Sequence, residues 1–106
     1  MAVDALLVLC TCPDSASAAA VATALLEEKL AACVNRVPGI RSVYRWQDHV
    51  EKDDEVLLLI KTRPALYADV ERTILQLHPY EVPEVIGLPV SVGSEAYLKW
   101  IGDVTT

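Results

Sequence analysis

The densest run of chemically able side chains is His78-Pro79-Tyr80-Glu81-Val82-Pro83-Glu84, an imidazole, a phenol and two carboxylates within seven residues. Its two prolines hold the run stiff. Far upstream, Cys10 and Cys12 stand two apart, so in an extended segment both thiols face one side. Thiolate with imidazole is a donor set with affinity for copper, above all the reduced ion, and for zinc. The C-x-C spacing differs from the C-x-x-C of redox and zinc sites, and no second cysteine pair completes a zinc cage. It is also an awkward geometry for the two sulfurs to bridge each other. Each residue has a plainer alternative: His78 can close a helix C-terminus against its dipole, and Cys10 can be a small core residue. Cys33, within Ala31-Ala32-Cys33-Val34, has the apolar setting of a core cysteine.

Other polar and aromatic candidates are more diffuse. Lys61 follows an apolar run, where it can face a cleft between subunits and pair with Glu84, hold an anion, or simply be solvated. With Tyr80 and Glu84 it defines a candidate inter-subunit cleft. Tyr44 and Trp46 are a binding platform or, as aromatics on an association strand, oligomer interface. His49 beside charged residues, and Glu27 with Glu28, read as solvated. No Gly-rich phosphate loop, nucleophile elbow or H-E-x-x-H is present.

The elements that must position these residues follow from hydrophobic patterning. Ala5 to Cys10 is continuously apolar, as in a strand buried on both faces. Pro13-Asp14-Ser15 supplies a break and helix-capping residues. Ser17 to Leu30 has helical periodicity, with Ala18, Val21, Ala22, Leu25 and Leu26 on one side and Lys29 lying along the apolar arc. Residues 33–46 predict a second strand interrupted by a turn at Pro38-Gly39. Gln47-Asp48-His49 is the expected hairpin tip, and Glu51 to Glu55 a solvated stretch on the return limb. Val56 to Ile60 is a third, continuously apolar strand. Pro64 opens a second helix carrying Tyr67, Val70, Ile74 and Leu77, which His78-Pro79 stops. Val85 to Val92 predicts an edge strand, because Pro89 cannot donate to a ladder. Ser94 caps a short last helix with Gly102 as its stop.

The order βαββαβ plus a terminal helix predicts an α+β fold, the ferredoxin-like plait, in a single domain over residues 1–106. In that plait the first and third strands are central, and here they are the two continuously apolar ones. The end of the first strand then lies beside the start of the fourth, which brings His78 or Glu84 toward Cys10. Two helices cover only one sheet face, yet the central strands are apolar on both. Each Leu or Val side chain left in water forfeits ~1.5–3 kcal/mol, so the chain is expected to be an obligate homo-oligomer.

Composition bounds the partners. With 106 residues, 53% hydrophobic and 23% charged, the chain fits one globular domain and not a disordered segment. A formal net charge of -6 repels phosphate backbones, which argues against nucleic acid. No stretch approaches the ~18–20 apolar residues of a membrane span. Leu6 to Cys10 lacks the basic flank and length of a secretion signal, and the odd count of three cysteines suits a reducing compartment. A cytoplasmic location is expected.

The blocks Leu30-Ala31-Ala32-Cys33-Val34-Asn35, Pro38-Gly39-Ile40, Tyr44-x-Trp46, Ile60-Lys61-Thr62, Tyr97-Leu98-x-Trp100 and the His78 to Glu84 run resemble the CutA family, the divalent-cation-tolerance proteins. The resemblance spans about Leu7 to Trp100. It implies a very stable cytoplasmic homotrimer of PII-like subunits, associated with copper binding and metal tolerance and with no well-established catalysis. The family's copper pattern pairs a cysteine ending the first strand, here Cys10, with two adjacent histidines before Pro-Tyr. The second matches His78, but the first is Leu77, which cannot coordinate. Cys12 or Glu84 is then the candidate replacement donor. Copper, with other divalent cations possible, is the expected ligand. Asp48 stands where the family often has glycine, a change that Asp tolerates. The competing class is a signalling or scaffold trimer holding a small ligand or partner in clefts lined by Lys61, Tyr80 and Glu84. An acylphosphatase-like hydrolase would need an arginine-bearing anion loop after the first strand, and Thr11-Cys12-Pro13-Asp14 offers none.

Overall fold

The computed structural model describes residues 3–106. Its elements are β1 (Leu6–Cys12), α1 (Ser15–Glu27), β2 (Cys33–Trp46), β3 (His49–Thr62), α2 (Tyr67–Leu77), β4 (Ile86–Pro89) and α3 (Glu95–Val104). A single 3-10 turn, Pro64–Leu66, leads into α2. The sheet order is β2-β3-β1-β4 with every neighbouring pair antiparallel. This is the plait expected from the sequence, with the two continuously apolar strands at its centre.

The helices α1 and α2 lie on one face of that sheet. Val8, Cys10 and Cys12 of β1 and Leu58 and Ile60 of β3 pack with Val21, Leu25, Val70 and Ile74 in one buried core. Alternation along the strands turns Leu7, Leu9, Leu57 and Leu59 to the opposite face, where they are only half-buried. A smaller cluster, Ala5, Ala32 and Ile101 with Leu98, docks α3 at the end of the sheet where β1 begins.

Several boundaries differ from the sequence expectation, each for a local reason. The first strand runs two residues further, through Cys12. The first helix stops at Glu27, so Lys29 is exposed beyond its end, at φ 58, and does not lie along the apolar arc. Pro38-Gly39 makes a bulge, not a turn: Val37 pairs with Leu57 and Ile40 with Glu55, leaving two residues opposite Val56 alone. Gly39 takes the positive φ, 76°, and Pro38 has no N–H to leave unpaired. The hairpin tip is Gln47-Asp48 only, both at positive φ, and His49 already pairs with Trp46. Glu51 to Glu55 belong to β3, and Glu55, expected in water, is 6% exposed. The fourth strand shortens to Ile86–Pro89, and α3 continues through Gly102 to Val104. Cys33 is half-buried, not core.

Candidate metal centre

The late start of β4 creates the site. Its last partner on β1 is Leu9, paired with Ile86, so the β1 edge at Thr11 has no strand beside it. A backbone carbonyl there needs a donor from elsewhere. The chain supplies one as it leaves α2. The His78 N–H still closes the helix onto the Ile74 carbonyl at 2.8 Å, and Pro79 then forces His78 into extended backbone, ψ 135. The imidazole thereby reaches β1, and its Nε2 lies 2.7 Å from the Thr11 carbonyl oxygen. The Tyr80 backbone N–H donates to Nδ1 at 3.1 Å. A carbonyl can only accept and an amide can only donate, so the ring carries its proton on Nε2 and its lone pair on Nδ1. His78 is thus both a helix cap and a strand-edge partner.

Cys10 and Cys12 flank Thr11 on the helix-facing side, each fully buried. The sulfurs of Cys10 and Cys12 and a ring nitrogen of His78 all lie within 4.8 Å of one another. Both cysteines are free. The hydrogen bond to Cys12, then burial, push the Cys10 thiol far above its ordinary range. The same bond favours the thiolate at Cys12 and pulls that thiol down.

This donor set fits a soft cation. Metal–sulfur and metal–nitrogen lengths near 2.3 and 2.0 Å separate donors by roughly 3.5–4 Å, so the three groups need to close by about an ångström. Two thiolates and an imidazole suit Cu(I) or Zn(II) better than hard ions. A bound cation would also supply positive charge where burial otherwise disfavours thiolate.

A second layer surrounds the imidazole. The Tyr80 ring tilts over it, centroids 4.8 Å apart, and the Tyr80 hydroxyl donates to the Glu55 carboxylate at 3.0 Å. Burial, then that hydrogen bond, raise the Tyr80 phenol well above its ordinary value and keep it a donor. Tyr80 and Glu55 line a groove of about 840 Å³ between the β2–β3 hairpin and the His78–Glu84 loop, with Tyr44, Trp46 and Glu84 along its walls. The Tyr44 hydroxyl donates to Asp53, which raises that phenol to about 12.

The remaining sequence candidates separate within one chain. Glu84 is exposed and lies outside the Cys10–Cys12–His78 cluster. Lys61 sits opposite Leu7 near the end of β3, well beyond the mid-strand Glu55, and its ammonium donates to Asn35. Within the chain it joins neither Tyr80 nor Glu84. Tyr44 and Trp46 are each 38% exposed. Leu77, where the copper pattern has a histidine, is 44% exposed in the last turn of α2. Two partners escaped sequence reasoning, the Thr11 carbonyl and Glu55. Five charged residues in succession conceal that the last of them turns inward, and no side-chain type marks an unpaired strand edge.

The sequence profile of the CutA1 divalent ion tolerance proteins matches residues 6–104. The chain belongs to the CutA1 family. The Xenopus laevis protein CutA homolog is 49% identical over 94 residues, covering 89% of this chain and 62% of the relative. The divalent-cation tolerance protein CutA of Thermus thermophilus is 47% identical over 98 residues, covering 92% and 95%. The chain thus spans less than two thirds of the Xenopus relative and nearly all of the Thermus one. A solved structure of the Thermus thermophilus divalent cation tolerance protein superposes with a TM-score of 0.94 at 45% identity, covering 96% of this chain and 99% of that one. CutA1 membership places the chain among divalent ion tolerance proteins.

Proposed function

We propose that this CutA1 chain binds copper, as Cu(I), through Cys10, Cys12 and His78, and so acts in copper and divalent-cation homeostasis. The observation that carries the reading is the convergence of three soft or borderline donors within 4.8 Å, all buried. Cys12 replaces the donor lost at Leu77. The test is Cu(I) affinity, by anaerobic competition with a chromophoric chelator, for the unaltered protein and for Cys10→Ser, Cys12→Ser and His78→Ala. Each loss is expected to exceed the ~10–100-fold that outer-shell partners of metal sites are worth. Equal affinity for all four proteins refutes the assignment.

The working form in this reading is a cytoplasmic homotrimer. The half-buried Leu7, Leu9, Leu57 and Leu59 face no helix, and the projecting hairpin carries exposed Val43, Tyr44, Trp46 and Val50. Association covers both, and Lys61 can meet Tyr80 or Glu84 only across such an interface. A reducing compartment keeps the Cys10 and Cys12 thiols available as ligands.

A further inference from the structure

We propose that Tyr80 is a latch on the metal centre: its backbone hydrogen bond to His78 and a metal ion on His78 exclude one another. The inference rests on the copper reading above and concerns how loading of that site is regulated. It follows from the two hydrogen bonds of one ring. Nε2–H donates to the Thr11 carbonyl and Nδ1 accepts from the Tyr80 N–H. If Nδ1 takes the metal, its lone pair is used and the Tyr80 N–H loses its acceptor. If Nε2 takes the metal, a neutral imidazole must carry its proton on Nδ1, and two N–H donors then face each other across the 3.1 Å now bridged by a hydrogen bond. Either choice of ligating nitrogen expels the Tyr80 amide.

Tyr80 does not move freely. Its ring packs over the imidazole and its hydroxyl is tied to the buried Glu55 carboxylate. Loading His78 therefore works against the Tyr80–Glu55 contact, and the contact works against loading, by the same free energy in each direction. Both residues line the groove beside Tyr44 and Trp46, so occupancy of a buried site reaches the hairpin surface that association would cover. Tyr80 here is a positioning residue that tunes affinity without ligating.

The experiment titrates anaerobic Cu(I) into the full-length, isotope-labelled protein while following backbone amide resonances, with affinity measured in parallel by chelator competition. The Tyr80 amide resonance is expected to shift and its hydrogen exchange to accelerate on loading. Tyr80→Phe and Glu55→Ala each release the phenol–carboxylate tie, and each is expected to bind Cu(I) about 3–10-fold tighter, the worth of one hydrogen bond. Tyr44→Phe, which removes the exposed phenol–carboxylate pair of the same groove, is expected to leave affinity unchanged. A merely structural role for Tyr80 would weaken binding instead. Tighter binding by Tyr80→Phe with weaker binding by Glu55→Ala would assign the gain to a freed carboxylate and overturn the latch. Full Cu(I) occupancy with an unmoved Tyr80 amide overturns the latch and leaves the ligand assignment standing. Absence of Cu(I) binding by the unaltered protein removes both.

Discussion

His78 shows how one residue serves three demands at once: its backbone N–H closes α2, its Nε2–H satisfies a strand edge, and its ring stands beside the two thiols. Each demand has its own geometry, and Pro79 is what lets them coincide, by turning the chain out of the helix at that residue. Asp14 is a simpler case of the same economy. Its carboxylate accepts from the Ser17 N–H at 2.7 Å and caps α1. Hydrogen bonds, the largest from the Ser17 backbone, hold this carboxyl below its ordinary value of 3.8. The folded state thus prefers the carboxylate, so the stabilisation is fully present above pH 3.8 and is lost as pH falls through the folded-state value. Urea unfolding of Asp14→Ala is expected to show a lower midpoint than the parent at neutral pH. The gap should narrow steadily as the solution is acidified past that range.

At the scale of elements, the end of α1 explains why Lys29 escapes the apolar arc. Leu30 N–H donates to the Leu25 carbonyl at 2.9 Å and Lys29 N–H to the Leu26 carbonyl at 3.1 Å, the paired bonds of a Schellman ending. Leu25 and Leu30 also meet in the core. This ending demands the left-handed conformation at Lys29, which costs a residue bearing Cβ roughly 1–2 kcal/mol. Lys29→Gly is therefore expected to stabilise the fold by about 1 kcal/mol, with no change in metal affinity, a result that chemical denaturation can read directly. Periodicity alone extends the helix to Leu30, because Leu30 continues the apolar face whether it is helical or folded back onto it. The hairpin follows the same logic. Two adjacent positive-φ residues, Gln47 and Asp48, make the tightest reversal that keeps the twist of both strands, and this draws His49 into the ladder.

The whole molecule is longer than its mass requires. Its Cα radius of gyration is 14.3 Å, against about 13 Å for a compact chain of this size. The longest dimension, 43 Å, is set by two 14-residue strands. Such a shape exposes more apolar surface than one core needs to exclude. Light scattering at micromolar concentration is expected to give a mass about three times the 11.6 kDa chain. Trp46→Asp on the exposed hairpin should shift that mass downward. A stable species at the chain mass for the unaltered protein would contradict the trimer and remove any role for Lys61 beside Tyr80 or Glu84.

Strand identity, strand order and the one-sided placement of helices were legible from the chain itself. So was the approach of His78 to Cys10, because apolar runs and proline positions are local properties that leave one consistent plait. The cysteines' common face followed from the two-residue period of a strand. Tertiary structure alone decided the rest. It showed that β4 begins only opposite Leu9 and so frees the Thr11 edge for His78, that Cys12 joins the donor cluster while Glu84 does not, and that Glu55 turns inward to hold Tyr80. Those outcomes depend on where distant segments stop relative to one another, and a hydrogen bond between residues 25 or 67 positions apart leaves no periodic trace in either segment.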